Sequence, residues 1–222
     1  MNKKCELFAS VISDNPRDIF SNLRIYEDAN ISGLHFDVMD GNFVPRFGLY
    51  PEILKEIRNL TSLPIEVHLM TTNFKKYLNQ FAELGATRII FHVEAVDSII
   101  DSINKVKESG AEVGIAINPN TKLDFIDLIA NKIDYIMLMA ITPGIPKHPF
   151  ITSTYQKISE LKKILFSNSS SAKIGVDGGV TFDNASEIYK MGADVLICGS
   201  GTFFDSTRSL KSNITLLQNI LN

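Results

Sequence analysis

Short runs of apolar and β-branched residues alternate along the chain with longer stretches in which apolar residues recur every three or four positions. The short runs are Glu6–Ser10, Gly33–Val38, Ile65–Met70, Arg88–Val93, Glu112–Ile117, Tyr135–Ala140, Lys173–Val176 and Val195–Cys198. Their length and residue types predict strands. The helical period covers Pro16–Asp28, Pro51–Leu60, Phe74–Leu84, Ser98–Ser109, Leu123–Ala130, Thr154–Phe166, Phe182–Met191 and Leu210–Leu221. Gly85, Gly110 and Gly192 each follow a helical stretch, where a glycine accommodates the left-handed residue that ends a helix, and a strand pattern follows each. Strand and helix in strict alternation predict parallel strands joined by crossover helices. Eight such units close more naturally than they spread, so the expected architecture is α/β: a single (β/α)8 TIM barrel over residues 1–222. The polar run Ser167–Ser171 is too short to separate domains.

Composition narrows what such a barrel would do. With 45% of its 222 residues hydrophobic, the chain has ample material for one large core. A net charge of −3 gives it no general attraction for nucleic acid or an anionic membrane. No apolar run approaches the length of a membrane span. Cys5 and Cys198 lie far apart in apolar segments and form no Cys-x-x-Cys pair, which reads as two buried, reduced thiols in a cytoplasmic protein. Met1–Asn15 lacks the apolar stretch of a secretion signal, in keeping with that expectation.

Barrels of this kind place their chemistry where the strands end. The predicted strands end in an unusual set of polar residues: Ser10; His35 and Asp37, then Met39; His68 and Met70; His92 and Glu94; Asn118; Met139, then Gly144; Asp177-Gly178-Gly179; and Gly199-Ser200. His35 and Asp37 are two residues apart and so share one face of their strand. If that face is the barrel interior, two histidines and two carboxylates converge from three strands. Neutral imidazole with carboxylate suits one divalent ion such as zinc, iron, manganese or cobalt. The ion also explains how acids tolerate one another's company there. Each residue alone has a plainer explanation: a strand histidine as a hydrogen-bonded core residue, an Asp as a helix cap, a Met as ordinary core. Those explanations do not account for His35, Asp37, His68 and Asp177 together. His92 and Glu94 fit a structural pair as well as a functional one. The glycines after the last two strands are placed where barrels bind phosphate through backbone N–H groups and a helix N-terminus.

The segments HFDVMDGNFVP (35–45), VHLM (67–70), FHVEA (91–95), INPNT (117–121), VDGG (176–179) and GADVLICGS (192–200) resemble the ribulose-phosphate 3-epimerase family, in family order and across most of the chain. The resemblance implies an isomerase of the ribulose-phosphate-binding barrel type that epimerises C3 of a ketose phosphate. It implies His35, Asp37, His68 and Asp177 as metal ligands, with Asp37 and Asp177 doubling as the acid/base pair. Ser10 would contact substrate and Met39, Met70 and Met139 would lie beneath the reacting carbons. Gly144, Gly178, Gly179, Gly199 and Ser200 would surround the phosphate. It further implies homo-oligomers, dimers or hexamers. The C3 proton is acidified by the neighbouring C2 carbonyl, so one aspartate removes it and the other returns a proton to the opposite face.

Three departures from the family pattern fall around the substrate. Asn42 stands where the family has His after Met-Asp-Gly. Arg46-Phe47-Gly48 is a shortened segment. Pro146-Lys147-His148 replaces a Gly-Gly-Gln lid, removing one backbone N–H and offering the Lys147 charge. These changes point to a ketose other than D-ribulose 5-phosphate, a hexulose or heptulose phosphate for example, with Arg46 a candidate for an extra substrate group. Two alternatives are weaker. Decarboxylases related to orotidine-phosphate decarboxylase need an Asp-x-Lys where this chain has Asp37-Val38-Met39. A non-catalytic sugar-phosphate sensor has no need of both Asp37 and Asp177.

Overall fold

The computed structural model describes residues 4–145 and 148–222. Eight parallel strands, β1 (Glu6–Ser10), β2 (Gly33–Met39), β3 (Ile65–Met70), β4 (Arg88–His92), β5 (Glu112–Ile117), β6 (Tyr135–Met139), β7 (Lys173–Asp177) and β8 (Val195–Cys198), close into a barrel in sequence order. Seven α-helices surround it: α1 (Ile19–Asp28), α2 (Pro51–Leu60), α3 (Phe74–Glu83), α4 (Ile99–Glu108), α5 (Ser153–Ser167), α6 (Ala185–Met191) and α7 (Leu210–Leu221).

The expected eighth helix, Leu123–Ala130, is not α-helical. Only Ile126–Leu128 is helical, as a 3-10 segment between hydrogen-bonded turns, and Leu123, Ile126 and Ala130 still pack into the core. Leu123, Ile126 and Ile129 are buried and recur every three residues, the 3-10 period, so the apolar face is satisfied without an α-helix. The chain crosses from β5 to β6 without it.

Strands covered on both faces should read as continuous apolar runs, and these do. Their outward side chains pack beneath the helices in one large cluster that includes Phe36, Phe81, Phe91 and Ile115. Their inward side chains fill the barrel with Phe8, Ile90, Ala116, Tyr135, Met137, Met139, Val195 and Ile197. Small residues make room for large ones inside. A β-carbon on Gly175 would lie 1.7 Å from the Tyr135 hydroxyl. The Arg88 guanidinium sits 4.2 Å above the Tyr135 ring.

Strand register sets the level of the polar residues. Ser10 pairs with His35, Asp37 with His68, Met39 with Met70 and Met139 with Asp177. Both cysteines are buried and unpaired, and burial pushes the Cys5 thiol up to about 12. Among the described residues, no helix is long and apolar enough to cross a membrane.

Candidate active site and metal centre

His35 and Asp37 point inward from β2, and His68 does so from β3. Asp37 Oδ1 lies 3.1 Å from His35 Nε2 and 3.1 Å from His68 Nδ1. Asp177 at the end of β7 completes the group: His35, Asp37, His68 and Asp177 each offer a ligand atom within 4.8 Å of the others. Both histidines are fully buried and Asp37 nearly so. Two imidazole nitrogens and two carboxylates in one small volume form a donor set suited to a divalent ion.

The electrostatics of the group fit the same ion. Burial pushes Asp177 up, and Asp37 and Glu66 add to the push against the pull of His35, leaving it at about 7. Burial would also raise Asp37, but His35 and His68 outweigh it and hold that carboxylate well below its usual range. Burial lowers His68 to about 3, so its imidazole is neutral, as a metal ligand must be. For His35 burial acts downward, yet Asp37 and Glu66 prevail and keep a proton on it.

Each histidine has support behind it. His35 Nδ1 lies 2.7 Å from Glu66 Oε1, and Arg88 donates from Nη1 to Glu66 Oε2 at 2.8 Å. With Glu66 so held as an acceptor, His35 donates through Nδ1 and turns Nε2 toward the cluster. Behind His68, its Nε2 meets His92 Nε2 at 2.9 Å, and His92 Nδ1 lies 3.2 Å from Glu94 Oε2. Burial would raise Glu94, but hydrogen bonds from His92, Thr121 and the Asn118 backbone bring it down to about 2.

Above the cluster opens a cavity of about 440 Å3. Of the residues expected to meet substrate, Ser10, Met39, Met70, Met139, Gly144, Gly178, Gly179, Gly199 and Ser200 all line it, with Asp37 and Asp177 in its floor. His35 and His68 lie beneath and do not line it. Lys147 and Pro146 lie outside the described residues. Ser10 Oγ is 3.5 Å from Asp37 Oδ2 and 3.1 Å from Ser13 Oγ. Gly178 and Gly179 have φ of +96° and +66°, a turn that only glycine makes without strain. The expectation of a helix N-terminus beside Gly199-Ser200 is not met: residues 199–209 form turns and α7 starts only at Leu210. Thr202 and Phe204 instead donate their N–H groups back to the Gly199 carbonyl.

The departures divide. Arg46 lines the cavity and so does His148, whereas the Asn42 amide donates to the Thr72 hydroxyl at the surface. Ser13 and Thr181 also line it and were not expected, since loop residues carry no period to mark them. Glu66 was missed although a signal existed: it stands two residues before His68 on the same strand face.

Comparison with known proteins assigns the family. The family model described as Ribulose-phosphate 3 epimerase family matches residues 6–203. The chain belongs to the ribulose-phosphate 3-epimerase family. A relative named ribulose-phosphate 3-epimerase from Buchnera aphidicola subsp. Schizaphis graminum is 40% identical over 202 residues, 90% of this chain and 89% of its own. The Methanocaldococcus jannaschii protein of the same name is 37% identical over 195 residues, covering 88% and 82%. The Escherichia coli K12 protein is 37% identical over 171 residues, covering 77% and 76%. Membership makes the chain an isomerase, an epimerase acting on carbohydrates. Solved structures carry the fold further afield. A tryptophan synthase α-subunit from Pyrococcus furiosus superposes with a TM-score of 0.68 at 16% identity over 98% of both chains. Phosphoribosyl anthranilate isomerase from Thermus thermophilus does so at 0.66 and 14% over 97% and 98%. At such identities the likeness concerns the barrel alone.

Proposed function

We propose that the chain inverts C3 of a phosphorylated ketose by two-aspartate proton transfer, with His35, Asp37, His68 and Asp177 holding one divalent ion. The carrying observation is the pairing of Asp37 and Asp177 in the floor of one cavity, from strands with β8 and β1 between them. When bound, the ion supplies charge stabilisation for the oxygens of the enediolate. Asp37 and Asp177 are the groups that hold or release the migrating proton at their carboxylate oxygens. Met39, Met70 and Met139 surround the reacting carbons with soft side chains that offer no exchangeable proton. Ser10 orients substrate and Asp37 through its hydroxyl. The turns at Gly144, Gly178-Gly179 and Gly199-Ser200 seat the phosphate with backbone N–H groups, which suits a chain without a strong positive field.

The names of the relatives support ribulose 5-phosphate and xylulose 5-phosphate as the substrate pair. Arg46 in the cavity lining favours a second reading, a longer ketose phosphate such as a hexulose or heptulose phosphate, with the guanidinium on an added hydroxyl or charge. Proton NMR in D2O with a panel of ketose phosphates separates the two. Deuterium enters at C3 of the accepted substrate, and the fastest member of the panel names the class. No exchange with any of them removes the epimerase assignment of this site, and equal turnover of pentulose and longer sugars removes the role given to Arg46.

A further inference from the structure

The FHVEA segment contributes His92 and Glu94, and the proton-transfer chemistry uses neither. Their geometry connects directly to the cluster. His92 is fully buried, stacked with the His68 ring at a centroid distance of 5.0 Å and covered by Phe43 at 4.7 Å. It has two polar contacts: its Nε2 on His68 Nε2 at 2.9 Å and its Nδ1 on Glu94 Oε2 at 3.2 Å. Glu94 is anchored from the other side. The Asn118 backbone N–H and the Thr121 hydroxyl both donate to its Oε1, at 2.8 and 2.5 Å.

We infer that Glu94 and His92 are positioning residues that fix which nitrogen His68 offers to the cation. The inference rests on the metal reading given above. A carboxylate only accepts, so His92 must donate to Glu94 through Nδ1–H. A His68 that ligates the cation through Nδ1 carries its proton on Nε2, and the His92 Nε2 at 2.9 Å is the atom placed to accept it. With the cation bound, His68 thus holds its proton on Nε2 and gives the ion its Nδ1 lone pair; without the ion, Nδ1 is the donor to the Asp37 carboxylate at 3.1 Å. With the cation bound, His35 reaches the mirror-image arrangement through Glu66, with Nδ1 donating to that carboxylate and the Nε2 lone pair given to the ion. One ligand is held by a carboxylate directly and the other by a carboxylate acting through a second imidazole. Hydrogen-bonded carboxylates of this kind orient ligand histidines and raise their basicity.

Glu94→Gln provides a test that a simple packing role would fail. The Asn118 N–H is a fixed backbone donor, so the amide oxygen must stay on its side and the NH2 must face His92 Nδ1. The bond at that end then reverses. His92 becomes the Nε2–H tautomer and its proton meets the Nε2–H that a ligating His68 must carry. Glu94→Ala instead removes the acceptor without imposing the wrong tautomer, while it loses more of the Asn118 and Thr121 anchoring. Cobalt(II) titration of the full chain, read by its visible absorption, should give a loss of affinity of roughly 10–100-fold for Glu94→Gln, of the order found for such supporting partners. The loss for Glu94→Ala should be smaller. A Glu94→Ala loss equal to or greater than that of Glu94→Gln overturns the inference and leaves only an anchoring role. Long-range 1H–15N NMR of the zinc-loaded wild-type protein gives the tautomers without any variant. Protons on His68 Nε2 and His92 Nδ1 support the assignment, and a proton on His92 Nε2 overturns it. Failure of the wild-type chain to bind cobalt or zinc overturns the metal reading itself, which the wild-type titration shows before any variant is compared.

Discussion

Asp37 and Asp177 are chemically identical side chains that meet different surroundings. Asp37 touches two imidazoles and is held as a carboxylate, whereas burial, with Asp37 and Glu66 adding to it, raises Asp177 to about 7. Environments that push paired acids apart assign them different proton-transfer roles. Asp177→Asn keeps the shape and removes the proton carrier, so C3 deuterium exchange should fall by roughly 10²–10⁴-fold while the circular dichroism spectrum is unchanged. Retention of more than a tenth of the wild-type exchange rate would exclude Asp177 as a proton-transfer group. At this scale the sequence was informative wherever a residue type conflicted with its place. His35, Asp37 and His68 interrupt apolar strands, and that conflict made them visible. Glu66 and Arg88 conflict just as much with theirs. They escaped notice because each looks like a solvated strand start until the register places them behind His35.

The strands were legible, with β2, β4, β6 and β7 ending one residue from the expected limit. β1, β3, β5 and β8 have the predicted limits, because burial on both faces writes each strand as an unbroken apolar run with polar flanks. Helix ends were less so. The stretch beginning at Pro16 becomes helical only at Ile19, and Leu123–Ala130 yields one 3-10 turn. A helix end depends on capping partners and on the span to be crossed, and neither is local. The barrel interior adds a constraint that no period expresses, the matching of small residues to large ones across strands. Gly175→Ala places a methyl within the Tyr135 hydroxyl, on a ring already fixed under Arg88. Such overpacking should cost about 1–3 kcal/mol. A lowered urea midpoint with an unchanged slope is the expected reading, and a wild-type midpoint would mean that the interior repacks freely around β6 and β7.

For the whole molecule, the cluster links stability to metal and pH. Asp177 and His35 both have raised pKa values in the metal-free fold, so the folded chain holds protons that the unfolded chain has released. A raised folded-state pKa gives stability that is lost as pH rises through it. The Asp177 share is nearly all lost by about pH 7, so the thermal midpoint of metal-free protein should fall across the pH range above that, chiefly through His35. His68 does not oppose this, because it is neutral in both states across that range. A bound divalent ion replaces those protons. Saturating zinc should raise the midpoint at every pH in the range, by about 2.7 kcal/mol of stability at a hundredfold excess over the dissociation constant, and should flatten the slope. A metal-free midpoint that rises with pH would contradict the charge balance described for the cluster.

The order of the chain alone determined the eight-strand barrel, because alternating periods of apolar residues permit few other ways of burying every strand on both faces. It also marked Ser10, His35, Asp37, His68 and Asp177, since a polar residue interrupting or closing an apolar run is a local fact. Three things were settled only in three dimensions. The closed register put the aspartates and histidines at one level and within 4.8 Å. The long turn after β8 left its glycines without a helix behind them. Glu66 and the His92–Glu94 pair came to lie behind the two histidines, each against a particular nitrogen. Hydrogen-bond direction joins atoms of separate strands, and one strand read alone cannot specify it.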